Sequence, residues 1–426
     1  MSRIFDSTQT FSVLALVLFL SQGSGFAAEA SEDRYETSHA LPVEQVLEPD
    51  LVKGPYYQVE DPVWHDGYTN VYQVTSPFGS FLVRGDAMFA RLRRELVTIA
   101  DLRERTAAGM TAEAAVKELV DPVRAVGRLV HEPGKTLTGI PLGISRLIDS
   151  TQAGLSHEPG PYEDDDFESL VRMAAYKRRI AAHYHVDAYS SNPILQHELE
   201  RAAWAHLAGY ATTFALILVP APNPLPLMMT SLTTVEALNR ALEEQGPADL
   251  QALNQQKLKT MEISDDLAAK FLTHPMYSPR HRTVMVFSLE GLASAAHRER
   301  VLQAALHALS EEEALLYQQA TELLLAYHQR EAPIVDLDIV GRLPIAFTSA
   351  RTLFCPLALD YGIWTQKSEL AFQRLATKAG RSGEDYRIEV WFTGVLSQKA
   401  RSELLRLGIA PRENVARDIP LIDRTY

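Results

Sequence analysis

The sequence predicts an α+β protein with a small N-terminal antiparallel β-meander, a helical middle and a C-terminal α/β layer. Three observations carry that prediction. From 55 to 85, aromatic and β-branched residues are punctuated by Asp66-Gly67, Ser76-Pro77 and Gly79, the chemistry of tight hairpins. From 167 to 273, apolar residues recur at helical spacing. Beyond His281, short apolar runs alternate with helical segments, as in a layered α/β arrangement that is partly parallel.

Composition bounds the rest. At 426 residues the chain exceeds what one core usually supports, and 46% hydrophobic with 22% charged residues is an ordinary globular balance. A net charge of −13 disfavours a nucleic-acid surface, which needs clustered Lys and Arg. The N-terminus, MSRIFDSTQTFSVLALVLFLSQGSGFAAEASED, has Arg3, an apolar run over 11–20 and the small residues Ala27, Ala28 and Ala30. That is the pattern of a secretory signal peptide over 1–28, and the run is too short for a membrane anchor. The expected location is therefore exported, periplasmic or secreted. Cys355, the single cysteine, sits in TLFCPLAL and reads as a buried small hydrophobe rather than a reactive thiol.

Residues 29–54 are polar and acidic and read as a flexible tail. The next unit, 55–150, combines the meander with helices; its strands are expected over 56–63, 68–75 and 79–83. A helix follows with Asp86 as N-cap and Met88, Leu92, Leu96, Ile99 and Leu102 on its apolar face. Its arginines, Arg91 among them, read as a solvated, ion-paired face. A second helix is expected over 111–120, and prolines and glycines break 121–150 into a packed connector. Residues 151–166 are a linker.

The helical domain, 167–274, is expected to hold helices over 167–183, from Pro193 with Asn192 or Ser191 as cap, over 235–244 and over 248–273. In the α/β domain, 275–426, HRTVMVFSLEGL reads as a buried strand, followed by helices over 293–309 and 311–330. Strands are expected in IVDLDIVGRLPIAFTS, LFCPLALDYGIWT and RIEVWFTG, with helices over 368–379 and 397–407.

Residues 202–235, AAWAHLAGYATTFALILVPAPNPLPLMMTSLTTV, contain no Asp, Glu, Lys or Arg. Pro220, Pro222, Pro224 and Pro226 stop any helix at Val219. Neither half is long enough to cross a bilayer, so the stretch reads first as the core of the helical domain. A shallow membrane hairpin and a ligand pocket are the other readings. Trp204, Phe214, Leu216 and Met228 are the side chains that would meet a lipid or a partner.

No spacing declares an activity. EPGKTLTG lacks the first glycine of a phosphate loop, Leu129 standing in its place, so no nucleotide is expected. In HELERAAWAH, Arg201 occupies the position where a zinc protease needs its second histidine. His183 and His185, with Asp187, are a candidate metal trio that converges only in a strand or loop, since residues two apart diverge on a helix. Asp336 and Asp338 share one face of a strand. Ser288, Glu290, Asp360 and Thr393 fall at expected strand ends, where open α/β sheets bind ligands. Glu290 and Asp360 are the candidate acid/base pair, with helix caps as the alternative.

The segments YQVTSPFGSFLVRG and VDAYSSNPILQHELERAAWA resemble uncharacterised exported bacterial proteins, a resemblance that implies no activity. The expected function is that of an exported, non-enzymatic cell-envelope protein with a protein-interaction or lipid-association role and no cofactor. The alternative is a periplasmic hydrolase using Glu290 and Asp360.

Overall fold

The computed structural model describes residues 34–109, 164–207, 235–381 and 385–422. It is α+β, with an N-terminal antiparallel sheet, helices in the middle and a C-terminal mixed sheet. The signal peptide over 1–28, the helix over 111–120, the connector to 150 and the hairpin beyond Leu207 lie outside the described residues.

The N-terminal sheet is built around β5 (Asn70–Ser76). β6 (Gly79–Arg84) pairs along one side, while β3 (Tyr57–Val59) and β4 (Val63–His65) lie end to end along the other. The single strand expected over 56–63 is thus two, separated at Pro62, which cannot donate to a ladder. The turns follow the sequence. Asp66 accepts from the amides of Tyr68 (3.0 Å) and Thr69 (2.8 Å), and Gly67 takes the left-handed backbone (φ +95°) that a side chain would oppose.

Residues 34–54 are not the flexible tail expected from their polarity. β1 (Ala40–Leu41) pairs β4, β2 (Lys53–Gly54) pairs β3, and α1 (Val43–Val46) and α2 (Pro49–Val52) fill the gap between. Asp61 holds this segment by accepting from the Val43 amide at 2.8 Å.

α3 (Asp86–Gly109) lies under the sheet. Leu92, Leu96, Ile99 and Leu102 are buried as the spacing predicts, together with Phe89, whose ring stacks on Tyr72 at 4.7 Å. α4 (Asp164–His183) and α5 (Pro193–Leu207) close the other side of this core through Met173, Ile180, Leu195 and Leu199. Asn192 caps α5, accepting from Ile194 N at 3.0 Å.

α6 (Val235–Glu244) and α7 (Pro247–Thr260) follow. The helix expected over 248–273 breaks at Glu262 (φ +62°) and restarts as α8 (Asp265–Leu272), with Ser264 as its cap. HRTVMVFSLEGL corrects the prediction more strongly: it is not a strand but α9 (Pro279–Glu290). Ser278 caps it and Pro279 occupies the first turn. Since α9 is buried on nearly every side, no period survives in its sequence. The helix expected over 293–309 is the shorter α10 (Glu299–Ala305); α11 (Glu311–Arg330) matches the range predicted for it.

Among the described residues, seven strands lie in the C-terminal lobe: β7 (Ile334–Val340), β8 (Leu343–Thr348), β9 (Thr352–Leu357), β10 (Tyr361–Gly362), β11 (Arg387–Phe392), β12 (Val395–Leu396) and β13 (Ile409–Arg412). β10 and β12 pair with each other, and the others form one sheet in the order β13-β11-β9-β8-β7. β7, β8 and β9 are antiparallel neighbours, whereas β9, β11 and β13 run parallel. α12 (Gln366–Arg381) and α13 (Gln398–Arg406) make the two crossovers on one face. Helices from α7 to α11 cover the other, so Leu258, Leu267 and Phe271 share a core with Ile334, Phe354 and Trp391. The packing boundary therefore lies well before residue 275. Cys355 is fully buried on β9, and burial pushes its thiol up to about 12.

A strap, residues 34–36, crosses onto this second lobe. Arg34 and Tyr35 bond Glu369, and the Glu36 carboxylate accepts from Trp364 N (2.6 Å) and Ser397 Oγ (2.6 Å).

Candidate functional site

The carboxyl ends of parallel strands are where an open α/β sheet binds ligands. Here that end is covered by the N-terminal lobe. Beyond β9, the Asp360 amide donates to Tyr68 O at 2.8 Å, and Asp360 Oδ2 accepts from the amides of Asn70 (3.0 Å) and Asp86 (3.1 Å). Asp86 begins α3, so Asp360 caps that helix from the opposite lobe, placing a negative charge at its positive end. Gly85, at φ +92°, turns the chain there.

Behind this cap, Asp86 Oδ1 accepts from Tyr72 Oη at 2.6 Å and from Asn70 Nδ2 at 2.9 Å. Burial, and then the charges of Asp86 and Asp360, push the Tyr72 phenol well above its ordinary value, so it stays a donor. Thr393, at the end of β11, donates to Leu359 O (2.6 Å) and accepts from Leu359 N (2.8 Å). The neighbouring Gly394 permits the close approach of the 360 loop, because a Cβ there would lie 2.0 Å from Asp360 O. Asp360 and Thr393 thus stand at strand ends, as predicted, and the contacts described for them tie loop to loop and lobe to lobe.

Glu290 stands elsewhere. With Ser288 it belongs to α9, not to a strand end, and Lys257 Nζ holds its carboxylate at 2.7 and 2.8 Å. Ser288 Oγ donates back to Val284 O at 2.9 Å. The acid/base pair read from the sequence is therefore placed as two groups anchored on different elements: Glu290 to α7, Asp360 to the N-terminal sheet and α3.

A second cluster joins the lobes one turn and more along α3. Arg91, read as part of a solvated face, is buried. Its Nε meets Glu95 at 3.1 Å, Nη1 meets Glu311 at 2.8 Å and Nη2 lies 3.6 Å from Asp187. Glu95 also accepts from Ser190 Oγ (2.5 Å) and Asn192 Nδ2 (2.8 Å). Burial alone would raise the Glu311 carboxyl, but the charges of Arg91 and His281 and bonds from Ser191 and Arg91 hold it below its ordinary value. One guanidinium thus gathers carboxylates from α3, from the turn before α5 and from α11. Sequence reasoning missed this hub; its only trace was an arginine one position before the apolar Leu92.

The remaining candidates resolve individually. Asp187 is buried against Arg91, whereas His183 and His185 are exposed, His183 with its ring edge on Tyr184 and His185 at φ +54°. The trio therefore does not converge, and among the described residues no group of three or more His, Cys, Asp and Glu could hold a metal. Asp336 pairs with His297 at 2.6 Å, and Asp338 with Arg300 and Lys378. Glu198 is buried between Arg103 (2.7 Å) and Arg201 (2.6 Å). Trp204 is 44% exposed near the end of α5; Phe214, Leu216 and Met228 lie outside the described residues. No helix among the described residues is long and apolar enough to cross a membrane.

Comparison of the chain with protein-family models, with curated proteins and with solved structures returns no match.

Proposed function

We propose that the chain is an exported cell-envelope protein that works by association, with lipid or with an envelope protein, and not by catalysis. The observation that carries this reading is Trp204. It stands 44% exposed near the end of α5, where the chain enters the charge-free stretch that continues to Val235. An amphipathic indole there, next to apolar sequence, suits a membrane interface or a partner's contact surface. The ionisable groups at the lobe seam support the same reading, since Asp360, Glu95 and Glu311 are bound to backbone amides, hydroxyls and Arg91.

Liposome flotation of the chain lacking 1–28, with carbonate and high-salt fractionation of cells, tests the proposal. Lipid association predicts co-flotation that Trp204→Ala reduces by roughly threefold or more, on the scale of losing one interfacial aromatic. Wholly soluble fractionation with no flotation would remove the lipid version. Failure to retain any envelope protein after cross-linking in cells would then remove the other.

A further inference from the structure

We propose that two copies of this chain pair through the free edge of β6, antiparallel about Leu82, so that their N-terminal sheets run on as one. The phase of the β5–β6 ladder sets the geometry. Gly85 N donates to Asn70 O at 2.8 Å, which makes Val83–Tyr72 and Phe81–Val74 the hydrogen-bonded pairs of the same ladder. The amides and carbonyls of Ser80, Leu82 and Arg84 consequently project from the other side of β6. Among the described residues, β6 pairs only with β5.

The other edges are managed. A segment at Ala296 covers β7, with Ala296 N donating to Val335 O (2.9 Å) and Leu337 N to Ala296 O (3.1 Å). β13 carries Pro411, and β1 and β2 are two residues each. Natural sheets blunt their edges in these ways, whereas β6 is six residues long with no proline and with Leu82 66% exposed.

The edge complements itself. With Leu82 on the two-fold axis, it meets the partner's Leu82, while Phe81 comes opposite the partner's Val83 on the face toward α3. Any other register shortens the ladder. Arg84, the one charged side chain of β6, comes opposite the partner's Ser80, not another arginine. Ser80 is itself paired with Thr75, whose hydroxyl bonds Glu60 at 2.6 Å, so a carboxylate stands behind the site Arg84 approaches. Like charges directly opposite each other oppose a pair, and this register avoids them, while Arg84 also keeps Asp66 of its own chain at 3.6 Å. The contact adds about six backbone hydrogen bonds over a small area, which suits a dimer with Kd of roughly micromolar order.

Sedimentation equilibrium of the full chain, alongside oxidative cross-linking, decides the matter. The expected result is a concentration-dependent dimer whose Kd rises at least tenfold in Leu82→Lys, which sets two ammonium groups on the axis. Leu82→Cys should oxidise to a covalent dimer, whereas Gln73→Cys, on the same face but one strand inward, should not. Buried Cys355 leaves the assay clean. A monomer at every concentration, a dimer indifferent to Leu82→Lys, or equal cross-linking at both positions overturns the proposal; the circular dichroism of each variant, matched to the parent, excludes misfolding as the cause.

Discussion

At the end of β9, Asp360 does for α3 what a capping residue normally does from inside its own helix, and it does so across the boundary between two cores. Its carboxylate is buried, and two amides that would otherwise lack an acceptor depend on it. Removing the acceptor strands both donors, so Asp360→Ala should lower unfolding stability by about 2–3 kcal/mol in urea titration, as deletion of one partner of a charged hydrogen bond does. The seam predicts more than loss of stability. Because the bonds cross from lobe to lobe, the variant should also accelerate proteolysis between the lobes, which a purely local cap would not. At this scale the sequence was partly legible: the strand-end position of Asp360 could be read, and a cap was one of its two readings. The Tyr68–Asn70 backbone that it meets could not, since nothing local in either segment names the other.

α9 shows how an element becomes illegible. It is buried on nearly every side, polar residues such as His281, Thr283 and Ser288 included, so the sequence VMVF carries no stripe to distinguish a turn of helix from a buried strand. The decisive signals lay upstream. Ser278 accepts from His281 N at 3.2 Å, and Pro279 fits the first turn. Ser278→Ala should therefore lower stability by about 1 kcal/mol, read from the shift of the denaturation midpoint, with Pro279 kept as an internal control. By contrast α11 was legible to the residue, because Ser310 caps it, three glutamates fill its first turn, and a basic last turn complements its dipole. The meander was legible through its turns and misjudged where Pro62 divides a strand. The 34–54 segment was illegible for a different reason: it is polar, and its order comes from pairing onto the N-terminal sheet and from the strap's bonds to Glu369, Trp364 and Ser397.

Across the whole molecule, several carboxylates lie below their ordinary range, among them Glu311 and Glu369 at the lobe contacts and Asp338 within the second lobe. Burial works against Glu311 and Asp338, but cations and hydrogen bonds prevail; Glu369 is held down first by the bond from Tyr35 and then by Arg34. A group whose folded value is depressed contributes stability above its unfolded value, about 4.3 for Glu, and loses it as pH falls through the folded value. The protein should therefore weaken progressively below about pH 4.5. In Glu311→Gln, stability at pH 7 should fall while the slope of stability against pH below that point becomes shallower. Unfolding free energies measured at pH 3.5, 5 and 7 check both; an unchanged slope would mean that Glu311 carries none of the acid sensitivity. The arginine hub behind this behaviour was not readable from composition, because burial of a charge is decided by three elements far apart in the chain.

The strap at residues 34–36 changes what it means to divide this protein. Chain order runs from the second lobe's surface into the first lobe and back, so the first lobe is inserted within the second, not placed before it. A gene cut anywhere between the lobes severs the larger body from a peptide of its own. Such a fragment would keep Glu369 and Ser397 but lose Glu36, and with it the acceptor of the Trp364 amide. Clean separation calls for the strap to be supplied to the second lobe as a separate synthetic peptide.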